Sequence, residues 1–170
     1  MGLNVEIKAR YDDLETFQTQ VIQLPVTFEG EDIQIDTFFN VKTGRLKLRE
    51  SLLYGNLLIP YLRPDQTGPK QADYELIKIS DPKKLKFLFD EILGIYGTVR
   101  KKRRIYLFEN VRIHLDAVEN LGSFIEFEAV VDDAADIKVN EEKINWLLDY
   151  FKINKDQLIN VAYMDLLQQL

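Results

Sequence analysis

Arg45, Lys47 and Arg49 stand at alternate positions in the segment GRLKLRE, with Leu46 and Leu48 between them. Alternate residues of a β-strand share a face, so the three cations lie about 7 Å apart and repel one another unless carboxylates or a bound anion sit opposite. The pattern returns over residues 99–131, VRKKRRIYLFENVRIHLDAVENLGSFIEFEAVV. There Lys101 and Arg103 share one face, Arg112, His114 and Asp116 a second, and Glu126 and Glu128 a third. The chain also opens on it, with Asn4, Glu6, Lys8 and Arg10 alternating against Leu3, Val5, Ile7 and Ala9. Carboxylates beside many cations suit a defined chemistry: oxygen ligands hold Mg²⁺ or Mn²⁺, which bridge to substrate phosphates, while Arg and Lys neutralise the remaining phosphate charge. The ligand implied is an anionic polyphosphate. A sheet with one wet face gives the same alternation with no ligand, and three solvated basic residues are the plain alternative for Arg45, Lys47 and Arg49.

The elements that must position these groups are legible from period and punctuation. Residues 3–11 read as a strand, and Asp12 with Glu15 three residues on reads as a capping box opening a helix whose stripe is Leu14, Phe17, Val21 and Leu24, stopped by Pro25. Residues 31–40 and 45–50 read as strands joined by a turn at 42–44, and 56–64 as a strand with Tyr61 and Arg63 on one face. In the loop DQTGPKQ, Lys70 is placed to reach back over a barrel mouth. Residues 73–79 read as a strand with Asp73, Glu75 and Ile77 on one face. Asp81 and Pro82 begin a helix with apolar Leu85, Leu88, Phe89 and Ile92 that stops at Gly94. Three strands fill 99–131, and two helices follow, capped by Asn140 and Asn154.

If amphipathic helices cover the aliphatic faces, the charged faces look at water or at each other. An antiparallel sheet closed on itself points them inward, which gives a charged lumen in place of the usual apolar barrel interior. The inward cations are then Lys8, Arg10, Arg45, Lys47, Arg49, Arg63, Lys101, Arg103 and Arg112, and the carboxylates Glu6, Asp73, Glu75, Asp116, Glu126 and Glu128. The fold class expected is α+β: a closed antiparallel eight-stranded barrel with helices packed outside. A chain of 170 residues suits one domain spanning 1–170.

Composition excludes several classes. A net charge of −6 disfavours nucleic-acid coating, which needs a positive outer field. With no cysteine there are no disulfides or thiolate metal sites. The single histidine, His114, has no partner histidine, so an imidazole metal cluster is not expected. No Walker loop or kinase Gly-rich loop occurs, so side chains must hold the phosphates. No apolar run approaches a membrane span, and MGLNVEIKAR lacks the build of a secretory signal, so a cytoplasmic location is expected.

The ordered segments resemble the CYTH family of triphosphate tunnel metalloenzymes, which includes class IV adenylyl cyclases, thiamine triphosphatases and inorganic triphosphatases. Asn4-Val5-Glu6-Ile7-Lys8 is similar to its opening Glu-x-Glu-x-Lys, VRKKRRIY to Val-x-Lys-x-Arg-x-x-Tyr, and AYMDLL to Ser-Tyr-x-x-Leu-Leu. QIDTFF, GRLKLRE and RIHLDAVENLGSFIEFE resemble further signatures. The resemblance implies Mg²⁺ or Mn²⁺ held by Glu6, Glu126 and Glu128, with Asp116, Glu75 and Asn4 as further ligands. It implies Lys8, Arg49, Lys101 and Arg103 as catalytic groups, and Arg45, Lys47, Arg63, Lys70 and Arg112 on the substrate phosphates. Asn4 replaces the first Glu and Ala162 the usual Ser. The partner expected is a small molecule bearing a triphosphate (ATP, tripolyphosphate or thiamine triphosphate), with no nucleic acid and no membrane; a homodimer is compatible with the sequence. The residues leave open hydrolysis, cyclisation of ATP to cyclic AMP and pyrophosphate, and polyphosphate or nucleotide binding without turnover.

Overall fold

The structure, a computed structural model, describes residues 2–62 and 70–170. Its strands are β1 (Gly2–Arg10), β2 (Thr27–Phe39), β3 (Arg45–Ser51), β4 (Gly55–Leu62), β5 (Lys70–Tyr74), β6 (Ile77–Lys78), β7 (Ile95–Phe108), β8 (Val111–Val118), β9 (Gly122–Val131) and β10 (Leu158–Ile159). Its helices are α1 (Leu14–Val21), α2 (Pro82–Leu93), α3 (Ile137–Tyr150) and α4 (Tyr163–Leu167). The order β1-β5-β4-β3-β2-β7-β8-β9 returns to β1 through an antiparallel β1–β9 ladder, so the sheet closes into an eight-stranded barrel with the helices outside. β6 adds to β4, and β10 to β1.

Closure sorts the two faces of every strand. Val5, Ile7, Ala9, Ile113, Leu115, Ile125 and Phe127 point outward and are covered by Leu14, Phe17 and Val21 of α1 and by Ile144, Leu147 and Leu148 of α3. The main apolar core therefore lies between barrel and helices, and the lumen is left to the polar residues. A second cluster of Phe38, Val99, Val118, Leu121, Phe124, Tyr163 and Met164 gathers where α4 stoppers one end of the barrel. Gly97 of β7 lies against the end of the Met164 side chain there, which a Cβ at this position would displace.

The β3–β4 hairpin is latched by Asp32, a buried β2 carboxylate that accepts from the Leu52 and Leu53 amides, the Ser51 hydroxyl and the Gln34 amide. Turn chemistry follows the punctuation at Gly44, whose φ of 69° and whose Cβ position, 3.0 Å from the Tyr61 carbonyl oxygen, both call for glycine.

The elements differ from expectation in four places. Asp13, not Asp12, caps α1, its carboxylate accepting from the Thr16 amide. α3 starts at Ile137, so Asn140 is not a cap: it lies buried inside the helix, donating to the Asp136 carbonyl and accepting from the Asn110 amide. The helix expected after Asn154 is a single turn at 155–157, then β10, then α4, because pairing of Leu158 and Ile159 with Ala9 and Lys8 outweighs their helical spacing. The strand expected over 73–79 breaks after Tyr74 and resumes at Ile77. Among the described residues no helix is long and apolar enough to cross a membrane.

Candidate active site

The barrel encloses a cavity of about 460 Å³, within the size range of small-molecule sites. Its charged lining consists of Lys8, Lys47, Arg49, Lys78, Lys101, Arg103 and Arg112 against Glu6, Asp36, Glu126 and Glu128. Among the described residues, basic side chains outnumber carboxylates on this lining by seven to four, inside a chain whose net charge is −6.

Register explains how the cations are held. Pairing of β2 with β3 sets Asp36 opposite Arg49. The Asp36 carboxylate accepts from Arg49 Nε and Nη2, each at 2.7 Å, with Lys47 Nζ at 3.3 Å and Lys101 Nζ at 3.5 Å. Burial alone would raise this carboxyl; Arg49, then Lys47 and Lys101, outweigh it and hold it well below the usual range. Two residues beyond Lys101 on β7, Arg103 makes a bidentate pair with Asp116, 2.6 Å on each side, and reaches Glu126 at 3.2 Å. Tyr163 of α4 donates its hydroxyl to Asp116 at 2.8 Å, while its ring lies 4.2 Å from Lys8 Nζ and 5.5 Å from Lys101 Nζ. Burial raises the Tyr163 phenol, reinforced by Asp116 and Glu126, so it stays a donor.

Pairing of β1 with β9 sets Lys8 opposite Glu126 and Glu6 opposite Glu128. Glu126 accepts Lys8 at 3.1 Å, Arg103, and His114 Nδ1 at 3.1 Å. Burial would raise its carboxyl, but Lys8 and Arg103 bring it well below the usual range. Glu128 accepts the Asn4 amide at 2.7 Å and has Arg112 at 3.6 Å. His114 stands between the two glutamates, and the ligating atoms of the three lie within 4.8 Å of one another. Two buried acceptors that line the cavity, Asn4 Oδ1 and Gln34 Oε1, lack a hydrogen-bond partner among the described residues. A hard divalent cation fits this donor set: carboxylate oxygens, an amide oxygen with nothing to accept from, and surrounding cations to meet a substrate's phosphates.

The remaining wall is different in kind. Leu57, Ile59 and Tyr61 of β4, Tyr74 of β5, Leu76 and Tyr54 present an apolar and aromatic surface, and among the described residues β4 adds no charge to the lumen.

Of the residues singled out from sequence, Asn4, Glu6, Lys8, Lys47, Arg49, Lys101, Arg103, Arg112, Glu126 and Glu128 line the cavity. Asp116 does not: fully buried behind Arg103, it orients that guanidinium. Arg45 lies at the stoppered end, in a bidentate pair with Asp165 of α4 at 2.9 and 2.7 Å. Glu75 is exposed and away from the cavity, because Tyr74, Leu76 and Lys78 form the inner face of that segment. Asp73 shares the outward parity of Glu75, and Arg10 is exposed, donating to the Leu121 carbonyl. Arg63 and the Lys70 side chain lie outside the described residues. Sequence reasoning passed over Asp36, Gln34 and Tyr163, and it set His114 aside for want of a second histidine, whereas its neighbours are carboxylates.

Burial pushes the Lys101 ammonium down to about 7 and the Lys47 ammonium to about 8, with Arg103 and Arg49 respectively adding to the effect. Each lysine loses its proton as pH rises through these values, and a polyanion favours the protonated form. Binding therefore takes up protons, and affinity for tripolyphosphate measured without metal is expected to weaken about tenfold between pH 7 and pH 9. The ligand alone gains charge over that range and would give the opposite sign. Calorimetric titration in buffers of different ionisation enthalpy reads both the affinity and the proton count; affinity that tightens with pH would refute the lysine origin.

A family model for the CYTH domain matches residues 2–158. The chain is 29% identical to the Methanocaldococcus jannaschii protein named "Putative adenylate cyclase MJ0240", over 96% of this chain and 98% of that one. The solved structure of the PH1012 protein from Pyrococcus horikoshii OT3 superposes with a TM-score of 0.80 at 22% identity, covering 96% of this chain and 98% of its own. A conserved hypothetical protein from Pyrococcus furiosus superposes with a TM-score of 0.79 at 20% identity, covering 96% and 99%.

Proposed function

The chain belongs to the CYTH domain family, and on that premise we propose that it is a divalent-metal-dependent enzyme acting on an organic triphosphate, ATP foremost. The observation that carries this reading is the division of one lumen into a cationic side, around Asp36, Arg49, Lys101 and Arg103, and an apolar, aromatic side, around Leu57, Ile59, Tyr61 and Tyr74. Phosphates suit the first side, and a planar or apolar group suits the second. Gln34 adds to the argument: its buried Oε1, without a partner among the described residues, is an acceptor suited to a hydroxyl or amine, which a nucleoside offers and inorganic triphosphate lacks.

A divalent metal held by the carboxylates of this wall, Glu128 foremost, would supply charge neutralisation for the substrate phosphates. Lys47, Arg49, Lys101 and Arg103 hold the phosphate chain, so that the choice of reaction rests on which phosphorus lies in line with the nucleophile. In cyclisation the ribose 3′-oxygen bonds to the α-phosphorus, the bond from that phosphorus to the bridging oxygen breaks, pyrophosphate leaves and the hydroxyl proton is released. In hydrolysis water bonds to the terminal phosphorus, the bond from that phosphorus to the bridging oxygen breaks, the diphosphate leaves, and orthophosphate and a proton are released. The name of the Methanocaldococcus relative favours the first.

The test is turnover of ATP, thiamine triphosphate and tripolyphosphate, each with Mg²⁺ or Mn²⁺, followed by separate assay of cyclic AMP, pyrophosphate and orthophosphate. ATP is expected to be the best substrate; failure of all three to turn over would overturn the enzyme reading. Gln34→Met is expected to raise KM for ATP about tenfold while changing that for tripolyphosphate less than about twofold, as loss of one hydrogen bond to the organic part requires. Equal effects on both substrates would remove Gln34 from nucleoside recognition. Asn4 favours a second reading, binding without turnover, because an amide replaces an acidic position and its nitrogen occupies an oxygen of Glu128. That reading predicts ATP binding in the calorimeter with no product.

A further inference from the structure

We propose that His114 is a direct ligand of the bound metal, through Nε2, so that this chain's centre is a mixed nitrogen and oxygen site that binds Mn²⁺ in preference to Mg²⁺. The inference rests on the metal-dependent reading above and says which atoms and which ion carry it.

The imidazole is 2% exposed and its two nitrogens have different surroundings. Nδ1 lies 3.1 Å from Glu126 Oε1, a hydrogen bond, and a carboxylate holding one ring nitrogen is the arrangement that orients a metal-bound histidine. Nε2 lies 3.8 Å from Glu128 Oε2, too long for a hydrogen bond. Two donor atoms each about 2.1 Å from one ion stand between about 3 and 4.2 Å apart, so this separation suits two members of a single coordination sphere.

Three further features converge on the same point. Asn4 is 5% exposed, with Nδ2 fixed on Glu128 Oε1 at 2.7 Å. Rotating the amide would set its oxygen against that carboxylate, so Oδ1 stays a buried acceptor with no donor among the described residues. Glu6 stands directly opposite Glu128 on the paired strand and also lines the cavity, which brings a further carboxylate to this stretch of the wall. Glu126, in contrast, already meets Lys8, Arg103 and His114, which makes it a positioning residue for the imidazole. The ligand set is then His114 Nε2 with a carboxylate oxygen of Glu128, to which Asn4 is hydrogen-bonded and opposite which Glu6 stands on the paired strand. An imidazole nitrogen suits Mn²⁺ and later first-row ions better than Mg²⁺, which demands a near-ideal shell of oxygens.

The experiment uses the full chain without substrate. Binding of Mn²⁺ is counted by loss of the free-ion electron paramagnetic resonance signal, Mg²⁺ is titrated by competition, and pulsed spectra of the bound Mn²⁺ are examined for ¹⁴N coupling. Mn²⁺ is expected to bind at least about tenfold more tightly than Mg²⁺ and to show imidazole coupling; His114→Ala should abolish the coupling, weaken Mn²⁺ at least tenfold and change Mg²⁺ less than threefold. Bound Mn²⁺ without nitrogen coupling in the unsubstituted protein would overturn the assignment of His114 while leaving the metal-dependent reading intact, and needs no variant to fold. Failure of either ion to bind would remove both.

Discussion

Replacing Asp36 with alanine is expected to lower the unfolding free energy by about 3–5 kcal/mol, the usual consequence of removing one partner from a buried ionic cluster. Four donor atoms from Arg49, Lys47 and Lys101 converge on this one carboxylate, and in its absence buried Lys101 and half-buried Arg49 and Lys47 face each other without it. The loss should depend on what else is in the lumen. Tripolyphosphate brings the missing negative charge, so it should stabilise Asp36→Ala more than the parent protein at equal saturation. Chemical denaturation with and without tripolyphosphate measures both effects. A loss under about 1 kcal/mol, or equal stabilisation of the two proteins, would mean that Asp36 is not the hub of the cationic side.

Arg103→Ala is expected to reduce turnover of ATP by about 10²–10³-fold, comparable with removal of one pre-aimed donor from a charged transition state. The guanidinium is fixed in advance: Nε and Nη2 are held by Asp116, Asp116 is held by the Tyr163 hydroxyl, and Nη1, which has no hydrogen bond among the described residues, is the nitrogen that the proposed reading gives to a phosphate oxygen. Lysine carries the charge but not the fork, so Arg103→Lys should recover less than about a tenth of the lost rate. Initial rates for both variants, alongside circular dichroism to establish folding, decide the matter. Near-parental turnover by Arg103→Lys would show that charge alone suffices.

The charged lumen is legible in the sequence because the strand period is two and survives over long segments: once Lys8, Arg49, Lys101 and Glu126 alternate with aliphatics, only a closed sheet reconciles them with helices on the apolar side. Helix α2 is equally legible, since Asp81, Pro82 and Gly94 act locally at its ends. Asp36 is not, because its importance comes from standing opposite Arg49 in a particular register, which neither strand states alone. His114 is missed for a similar reason: its carboxylate neighbours come from β9, and only barrel closure brings Asn4 and Glu6 alongside. Glu75 and Asp73 face outward because Tyr74, Leu76 and Lys78 take the inner positions with unbroken parity across the gap between β5 and β6; alternation groups these residues correctly but does not state which group is inside. At the C-terminus the apolar spacing of Leu158, Val161 and Met164 imitates a helix, while edge pairing with β1 decides the outcome.

The ladder that closes the ring joins Lys8 to Glu126, so the first strand made must wait for almost the last. During synthesis the nascent chain carries β1 with Val5, Ile7 and Ala9 uncovered by α3 and one edge unpaired, long after most of the remaining strands have emerged. Such high contact order makes the rate-determining event a loop closure and not the growth of any hairpin, and it exposes an edge that could capture another chain. The side chains that later face the lumen then serve a second purpose. Lys8, Arg49, Lys101 and Arg103 keep the open ribbon charged on one surface, discouraging aggregation until the seam between β1 and β9 is sewn and the repulsion among them is answered by Asp36, Asp116 and Glu126.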